Sequence, residues 1–306
     1  MSLNRLNLSH NVIHVRAVRD FSYIRRESIT RDPTANSQNL IQRLSAGLNA
    51  DEIKIWFSNR YLLKPHSTAN NWTPEMLENL ASAEDFFSLL DPSVKLDRVD
   101  VRTFDIIVST PSGLIPFEYL SSGFRSAYIL LLGIIKEIEF RGLNVSAKDF
   151  AGVIIIDEIE LHLHPTWQRE IGNAIKNAFP KAQIIATTHS PHVIQAAHAS
   201  EVIALVRDQN GKVSARPVPS TQYGYAGWTL EEVLEDIMGV QDTKTPLFRE
   251  AMQKFDSAID DGASSEVIRS LNVLREMLHP NNPLRKLIEI QAAPHIGAED
   301  LDEVDE

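Results

Sequence analysis

The segment from Val153 to Glu158 reads V-I-I-I-D-E, four β-branched apolar residues followed directly by two carboxylates. Four large apolar residues in a row are buried on both faces only in a parallel sheet that helices cover. The run therefore predicts a central strand of such a sheet, with Asp157 and Glu158 at its carboxyl end.

A second apolar run follows roughly thirty residues later, from Gln183 to Thr188, and leads into His189. Between the two runs, Pro165 occupies a position that is favoured at a helix start. An apolar stripe on the predicted helix comprises Trp167, Ile171, Ala174, Ile175 and Ala178. Strand, helix and strand at this spacing predict a βαβ unit, whose parallel strands end at the same edge of the sheet. The acidic couple Asp157-Glu158 and His189 are therefore expected to converge.

Ser121, Ser122 and Gly123 precede a mostly apolar segment that predicts a helix from about Phe124 to Phe140. Hydroxyl groups and free backbone N–H groups at the positive end of a helix dipole suit an anion such as a phosphate. The same residues, taken alone, also fit an ordinary helix N-cap. Their place about 35 residues before the acidic strand favours the anion site.

Composition limits the class of protein. The 306 residues are 43% hydrophobic and include no cysteine, which excludes disulfides and favours a reducing compartment such as the cytoplasm. The longest apolar stretch, Ala127 to Ile135, is far shorter than the roughly 20 residues that span a bilayer, so no membrane segment is expected. The net charge of -11 opposes nucleic-acid binding by the chain as a whole. Five arginines near the start could form a local basic patch that contacts phosphates, but solvated surface is the favoured interpretation: Arg16, Arg19, Arg25, Arg26 and Arg31.

The residue types at the predicted sheet edge suit phosphate chemistry. A strand-end carboxylate such as Asp157 fits magnesium, which keeps several waters and takes few protein ligands. Glu158, the next residue, points in a different direction from Asp157 and suits a general base, a role worth about 100- to 10,000-fold in rate. His189 is placed to donate a hydrogen bond to a γ-phosphate and so to sense its presence.

These motifs resemble those of ABC-type ATPases. L-S-S-G-F-R-S is similar to their signature loop, V-I-I-I-D-E to their Walker B strand, L-H-L-H-P to their D-loop and T-T-H-S-P to their switch histidine. The form D-E-I-E-L-H-L-H-P-T-W-Q resembles the branch that contains RecF, SMC-like and OLD-family proteins. The tail that begins near Tyr223 is similar to the ATPases of Septu and retron antiphage systems.

The resemblance implies a role for each motif residue. Asp157 would hold Mg²⁺, Glu158 would be the catalytic base, and His189 would be the γ-phosphate switch. Ser121, Ser122 and Gly123 would bind the γ-phosphate of an ATP molecule that a second subunit holds. The implied cofactors are ATP and Mg²⁺. The implied partners are a second copy, in a homodimer or higher oligomer through the ATPase head, and an effector such as a nuclease, with nucleic acid as a further candidate.

One departure from the family pattern concerns the phosphate loop. No G-x-x-x-x-G-K-[S/T] occurs in the sequence, and the single Gly-Lys pair, Gly211-Lys212, is followed by valine. The chain is therefore expected to correspond to the carboxyl part of such an ATPase, with the first lobe missing, split off or degenerate. Without backbone N–H groups and a lysine around the phosphates, weak nucleotide binding and little hydrolysis by this polypeptide alone are expected.

The predicted fold class is α/β: a partial ABC-type ATPase head with a parallel sheet, a helical insertion and a C-terminal helical hairpin. Residues 1–119 are expected to hold the remainder of the head, with the insertion at about residues 40–96 and a β-hairpin. Residues 120–218 are expected to form the signature, Walker B and switch core, and residues 219–306 the helical hairpin and an acidic tail.

Local signals predict the flanking elements. Thr73 as N-cap and Pro74 in the first turn predict a helix that runs to Leu90. Val99 to Val108 is predicted as one strand and Leu114 to Glu118 as the next.

Further along the chain, Asn210-Gly211 predicts a β-hairpin, and Thr229 with Glu232 has the spacing of a capping box. Two apolar stripes with helical spacing predict the C-terminal helical hairpin: Phe248, Met252, Phe255 and Ile259, then Val267, Leu271, Leu274 and Leu278.

Two alternatives to an ATPase remain open from the sequence. The first is a non-hydrolysing module that keeps the same scaffold and binds a partner protein or DNA through the helical tail. The second is a metal-dependent hydrolase that uses the acidic couple and His189 together with His162, His164 and His192. The first two of these histidines fall in the segment that resembles a D-loop, where fold-stabilising or interface roles are favoured over metal ligation.

Overall fold

The computed structural model describes residues 10–19, 23, 28, 46–219 and 221–296. The chain divides into two compact units, Met1–Met238 and Gly239–Glu306. Arg25, Arg26 and Arg31, residues 40–45 of the predicted insertion and the acidic tail lie outside the described residues. The described part of the chain contains no helix with the length and apolar character needed to cross a membrane.

The described residues of the first unit form a three-stranded parallel sheet at its centre. In spatial order, its strands are β1 (Val12–Val15), β5 (Val153–Ile156) and β6 (Gln183–Ala186). The central strand β5 is the predicted apolar run, and Ile154 and Ile156 are fully buried in it. Ile156 pairs with Val15 on one side and with Ala186 on the other, so the three strands end level with one another. The predicted parallel sheet is confirmed.

Helix α3 (Ser122–Phe140) lies in the core of the first unit, and 15 of its 19 residues are buried. The other α-helices among the described residues of this unit are α1 (Ala50–Leu63), α2 (Pro74–Asp85), α4 (Pro165–Ala178), α5 (Pro191–Ala196) and α6 (Leu230–Glu232). Tyr128 of α3 lies at the centre of an aromatic cluster and donates a hydrogen bond to the carbonyl of Phe87 (2.7 Å). Burial raises the pKa of Tyr128, which keeps this hydroxyl protonated.

The described part of residues 40–96 is largely helical, as predicted, whereas its assignment as an insertion into an ATPase head stays a prediction. Thr73 caps α2 as predicted by accepting a hydrogen bond from the amide of Met76 (3.4 Å). The helix ends at Asp85 rather than at Leu90, because residues 86–88 tighten into a 3₁₀ turn that buries Phe86 and Phe87.

A second, antiparallel sheet is formed by β2 (Lys95–Val99), β3 (Ile106–Thr110) and β4 (Gly113–Pro116). The prediction of one strand from Val99 to Val108 is wrong, because a turn interrupts it. The carboxylate of Asp100 accepts hydrogen bonds from the amides of Arg102 (2.8 Å) and Thr103 (3.2 Å). A short polar side chain that binds its own following backbone in this way is a turn signal that outweighs the strand pattern.

The remaining part of the first unit follows β6. The predicted hairpin is confirmed as β7 (Ala204–Arg207) and β8 (Val213–Arg216), with Gly211 at a φ of +80° in the turn. The capping box of Thr229 and Glu232 is also present at the start of α6, which continues as a π-helical turn to Ile237.

The second unit is the predicted helical hairpin with a third helix. It contains α7 (Pro246–Asp260), α8 (Ser264–Met277) and α9 (Pro283–Ala292). Both predicted stripes face a common core, in which Phe255, Val267, Leu274 and Ile288 are fully buried. The hairpin prediction is confirmed, whereas the domain boundaries after residues 119 and 218 stay predictions.

Gly152, at the start of β5, generates a stability prediction. A Cβ atom there would lie 2.3 Å from the carbonyl oxygen of Asn11 and 2.3 Å from Cζ of Phe150. We expect Gly152→Ala to lower the free energy of unfolding by about 1–3 kcal/mol in chemical denaturation, because the close-packed strand start must move. Gly172→Ala is the matched control: no atom lies within 4 Å of a Cβ at this helical position, so a gain of up to about 1 kcal/mol is expected. Equal stabilities of the two variants would contradict the prediction.

Candidate functional site

Hydrogen bonds continue between β5 and β6 past the ends of both strands. The amide of Thr187 donates to the carbonyl of Ile156 (2.9 Å), and the amide of Ile159 donates to the carbonyl of Thr187 (3.0 Å). Between them, the amide of Glu158 donates to the hydroxyl of Thr187 (2.9 Å). The acidic couple is therefore held directly beside the segment Thr187–Ser190, here called the switch segment.

Asp157 directly follows the carboxyl end of β5. Its amide donates to the carbonyl of Val15 (2.8 Å), and its carboxylate lies 3.1 Å from Nε2 of His14 on β1. The Asp157 side chain is 42% exposed. A half-exposed carboxylate fits a magnesium ion, because that ion keeps most of its waters and needs only one or two protein ligands.

Glu158 adopts the left-handed backbone conformation, with a φ of +50°. This conformation is unfavourable for a residue with a side chain, at a cost of about 1–2 kcal/mol. The turn directs the carbonyl groups of Asp157 and Glu158 towards Arg19, whose Nη2 donates to both (2.6 and 3.0 Å). Nη1 of the same side chain lies 3.5 Å from Oγ of Ser126 on α3.

The interpretation of Arg19 as solvated surface is wrong, because the residue is only 7% exposed. Loss of solvation on burial lowers the pKa of Arg19 to about 10, opposed by the negative charges of Glu160, Glu158 and Asp157. The guanidinium still carries its positive charge at neutral pH. It donates to the carbonyl of Asp157 and is a second donor to the carbonyl of Glu158, which also accepts from the amide of Leu161 (2.9 Å).

The switch segment is fixed by side chains that follow the acidic couple in the chain. The amide of His189 donates to a carboxylate oxygen of Glu160 (2.6 Å), and the hydroxyl of Ser190 donates to Gln168 (2.6 Å). The same hydroxyl caps α5 by accepting from the amides of His192 and Val193. Ser190 is buried, whereas His189 is exposed at the sheet edge.

The serine loop, Ser121–Gly123, lies at the amino-terminal end of α3. Ser121 and Ser122 are exposed, and the side chain of Ser121 makes no capping hydrogen bond to its own helix. Gly123 is buried, and a Cβ atom there would lie 2.9 Å from the carbonyl oxygen of His162 and 3.2 Å from the ring of Trp167. The serine loop therefore packs directly on the segment that resembles a D-loop.

The two histidines of that segment have structural positions. His162 adopts a φ of +63°, which turns its carbonyl to Gly123, and His164 caps α4 by accepting from the amide of Thr166 (3.3 Å). Among the residues that the structure describes, no three histidines, aspartates or glutamates lie together as a metal site requires.

The structure thus holds Asp157 and Glu158 beside His189 through the hydrogen bonds of Thr187 and of the Glu160 carboxylate. The serine loop packs on the segment that follows the acidic couple, through Gly123 and His162. The catalytic and binding roles of these residues stay predictions. Sequence reasoning missed four contributors to the site: His14, Arg19, Glu160 and Thr187. Of these, Glu160 and Thr187 lie inside quoted motifs, D-E-I-E-L-H-L-H-P-T-W-Q and T-T-H-S-P, but neither was assigned a role from the sequence.

A family model described as AAA domain, putative AbiEii toxin, Type IV TA system, matches residues 16–195, which is more than half of the chain. The chain belongs to this family. All three parts of the site, the acidic couple, the switch segment and the serine loop, lie within the matched range.

Individual relatives of this AAA-domain protein extend the comparison. The Septu protein PtuA of Bacillus thuringiensis is 43% identical over 290 residues, which cover 94% of this chain and 73% of that protein. The Retron Ec83 probable ATPase of Escherichia coli is 31% identical over 144 residues, 47% of this chain and 25% of that protein. The Old nuclease of Escherichia phage P2 is 30% identical over 95 residues, 31% of this chain and 16% of that protein. The resemblance to OLD-like ABC ATPases with antiphage-defence relatives is confirmed.

The contact between Gly123 and His162 generates a prediction for the site. We expect Gly123→Ala to lower the free energy of unfolding by about 1–3 kcal/mol, since the added methyl group meets a backbone oxygen rather than a flexible side chain. The adjacent Ser122→Ala is the control, because an exposed substitution of this kind stays within about 0.5 kcal/mol. Urea denaturation of both variants measures the difference, and an unchanged Gly123→Ala would show that the two loops do not touch.

Proposed function

We propose that this AAA-domain protein forms the signature, Walker B and switch portion of an ATPase. In this proposal, two ATPase heads bind and hydrolyse ATP at composite sites between them, and the cycle controls an associated effector such as a nuclease in antiphage defence. The observation that carries the proposal is the hydrogen-bonded edge of β5 and β6, which holds the acidic couple beside the switch segment.

Each residue of the edge has a role in the proposed reaction. Glu158 accepts a proton from the attacking water, and His189 donates a hydrogen bond to the γ-phosphate. Asp157 would hold Mg²⁺, for which its half-exposed carboxylate is suited; when bound, the ion supplies positive charge that offsets the charge on the phosphates. Thr187 and Glu160 keep the two strand ends in register while these groups act.

The serine loop is proposed to bind the γ-phosphate of a nucleotide that a second head holds. Ser121 and Ser122 are exposed at the amino terminus of a 19-residue helix, and the hydroxyl of Ser121 does not cap that helix. The free hydroxyl groups and the positive helix end support binding of an anion from outside the unit. This arrangement supports a site completed by a second copy.

The phosphate loop is proposed to come from a polypeptide segment outside the 306 residues, since the sequence contains none. β6 pairs with β5 on one side, and no described strand pairs with its other side. Alternate residues of a parallel strand bond to opposite neighbours, so the backbone groups of Ile184 and Ala186 face this open side. A parallel strand added there would end at the same edge as the acidic couple.

The proposed base generates a prediction. In the assembly that includes the phosphate loop, we expect Glu158→Gln to lower the rate of ATP turnover by about 100- to 10,000-fold while ATP binding is retained, because only the proton acceptor is lost. The control is Glu170→Gln, an exposed glutamate on α4, which should turn over ATP like the wild type. Phosphate release and binding of a fluorescent ATP analogue measure the two effects. Full turnover by Glu158→Gln would refute the assignment.

The absence of a phosphate loop generates a second prediction. We expect titration calorimetry of this 306-residue polypeptide alone to show no saturable ATP binding at about 100 μM nucleotide, because backbone N–H groups and a lysine around the β- and γ-phosphates are missing. Addition of a segment that carries the loop should restore binding. Tight binding by the chain alone would contradict the prediction.

A non-hydrolysing interaction module is the second candidate function. In the second unit, Leu287 (52% exposed) and Ile290 (70% exposed) of α9 present apolar surface, and such surface on a helix suits a protein partner. The turnover measurement separates the two candidates. An assembly with the phosphate loop that binds ATP without hydrolysing it would favour the interaction module.

A further inference from the structure

Both peptide planes on either side of Glu158 are held by hydrogen bonds. In the plane before it, the Asp157 carbonyl accepts from Arg19 (2.6 Å) and the Glu158 amide donates to the hydroxyl of Thr187 (2.9 Å). In the plane after it, the Glu158 carbonyl accepts from Arg19 (3.0 Å) and the Ile159 amide donates to the carbonyl of Thr187 (3.0 Å). Arg19 and Thr187 therefore contact the same two planes from opposite sides.

This arrangement fixes the direction of the Glu158 side chain. The two flanking peptide planes determine φ and ψ of a residue, and φ and ψ determine where its Cα–Cβ bond points. Glu158 occupies a left-handed conformation that it would leave without support, since most residues with side chains avoid it. Arg19 and Thr187 supply that support together with the amide of Leu161, which donates to the Glu158 carbonyl (2.9 Å).

Arg19 suits this task better than a lysine would. Its planar guanidinium presents several N–H donors in a fixed geometry, so one side chain contacts two carbonyl groups and also approaches Ser126. Arg19 is buried, which excludes water that would compete for these carbonyl groups. Ser126 lies in the first turns of α3, so the same guanidinium links the helix that carries the serine loop to the backbone of the acidic couple.

We propose that Arg19 is a positioning residue, which holds the backbone of Glu158 so that its carboxylate is aligned for proton transfer and which couples this alignment to α3 through Ser126. The inference rests on the proposed function only for its catalytic consequence. The structural part, that Arg19 maintains the left-handed turn, stands on the contacts alone.

Arg19→Lys tests the proposal, because it keeps the positive charge and loses the paired donors. In the ATPase assembly, we expect kcat to fall about 10- to 100-fold, as a misaligned catalytic group does, with KM for ATP unchanged. Thr187→Val, which removes the opposite partner of the same peptide plane, should lower kcat in the same way. Arg98→Lys, at a half-exposed arginine on β2, is the matched control and should behave like the wild type.

A double-mutant cycle separates positioning from general destabilisation. If Arg19 acts through Glu158, adding Arg19→Lys to Glu158→Gln should cause no further loss of the residual turnover. An equal loss in both backgrounds would overturn the proposal, as would a rise in KM with kcat unchanged.

Hydrogen exchange supplies a readout that needs no turnover. The amides of Glu158 and Ile159 donate to Thr187, and the amide of Leu161 donates to the carbonyl of Glu158. In Arg19→Lys we expect these amides to lose protection, while those of the β3–β4 hairpin keep theirs. If the wild-type assembly shows no ATP turnover, the proposed function fails and this measurement decides the positioning role alone. Unchanged protection at the three amides would overturn it.

Discussion

The hydrogen bonds that join the end of β5 to the residues after β6 are the constraint on which the site depends. Register is set by the paired apolar strands, and Thr187 extends the pairing beyond them by bonding with both its backbone and its hydroxyl. Because the pairing is continuous, Asp157 and Glu158 cannot shift along the sheet without breaking the hydrogen bonds between β5, β6 and Thr187. Chemical groups on two different strands thereby behave as one rigid edge.

Helix α3 is joined to β1 and α1 of the first unit through buried charged side chains. Arg141 pairs with Glu137 on the same helix and donates to the carbonyl of Val12 on β1 (2.9 Å). Glu139 accepts from the indole of Trp56 on α1 (2.8 Å), and burial raises the pKa of this carboxyl against the opposing effect of Arg60. Buried ion pairs contribute little net stability, but breaking one is costly, so they favour a single arrangement of the helices.

Much of this architecture was predictable from local patterns. The run V-I-I-I followed by two acids specified β5 and its parallel neighbours, because a strand that is apolar at every position needs cover on both faces. The helical hairpin of the second unit followed from its two apolar stripes, and the position of the serine loop followed from the helix after it. In each case the apolar pattern lies within a short segment and directly indicates which residues are buried.

The contacts that complete the site were not predictable in the same way. Arg19 reads as a surface residue because nothing in its neighbourhood shows that two carbonyl groups more than 130 residues away will need a donor. The left-handed turn at Glu158 contains no glycine or asparagine, the residues that normally indicate such a conformation in a sequence. The strand assigned to Val99–Val108 failed for the opposite reason, since the local turn at Asp100 carries a signal that the apolar pattern obscured.

The uncovered side of β6 has a consequence for the behaviour of the polypeptide in solution. Ile185 is half exposed, and no described strand pairs with the amides and carbonyls of Ile184 and Ala186 on this side. An open apolar strand edge is a template for unintended pairing with other chains. We therefore expect that a strand added on this side of β6 would also oppose concentration-dependent aggregation of the polypeptide.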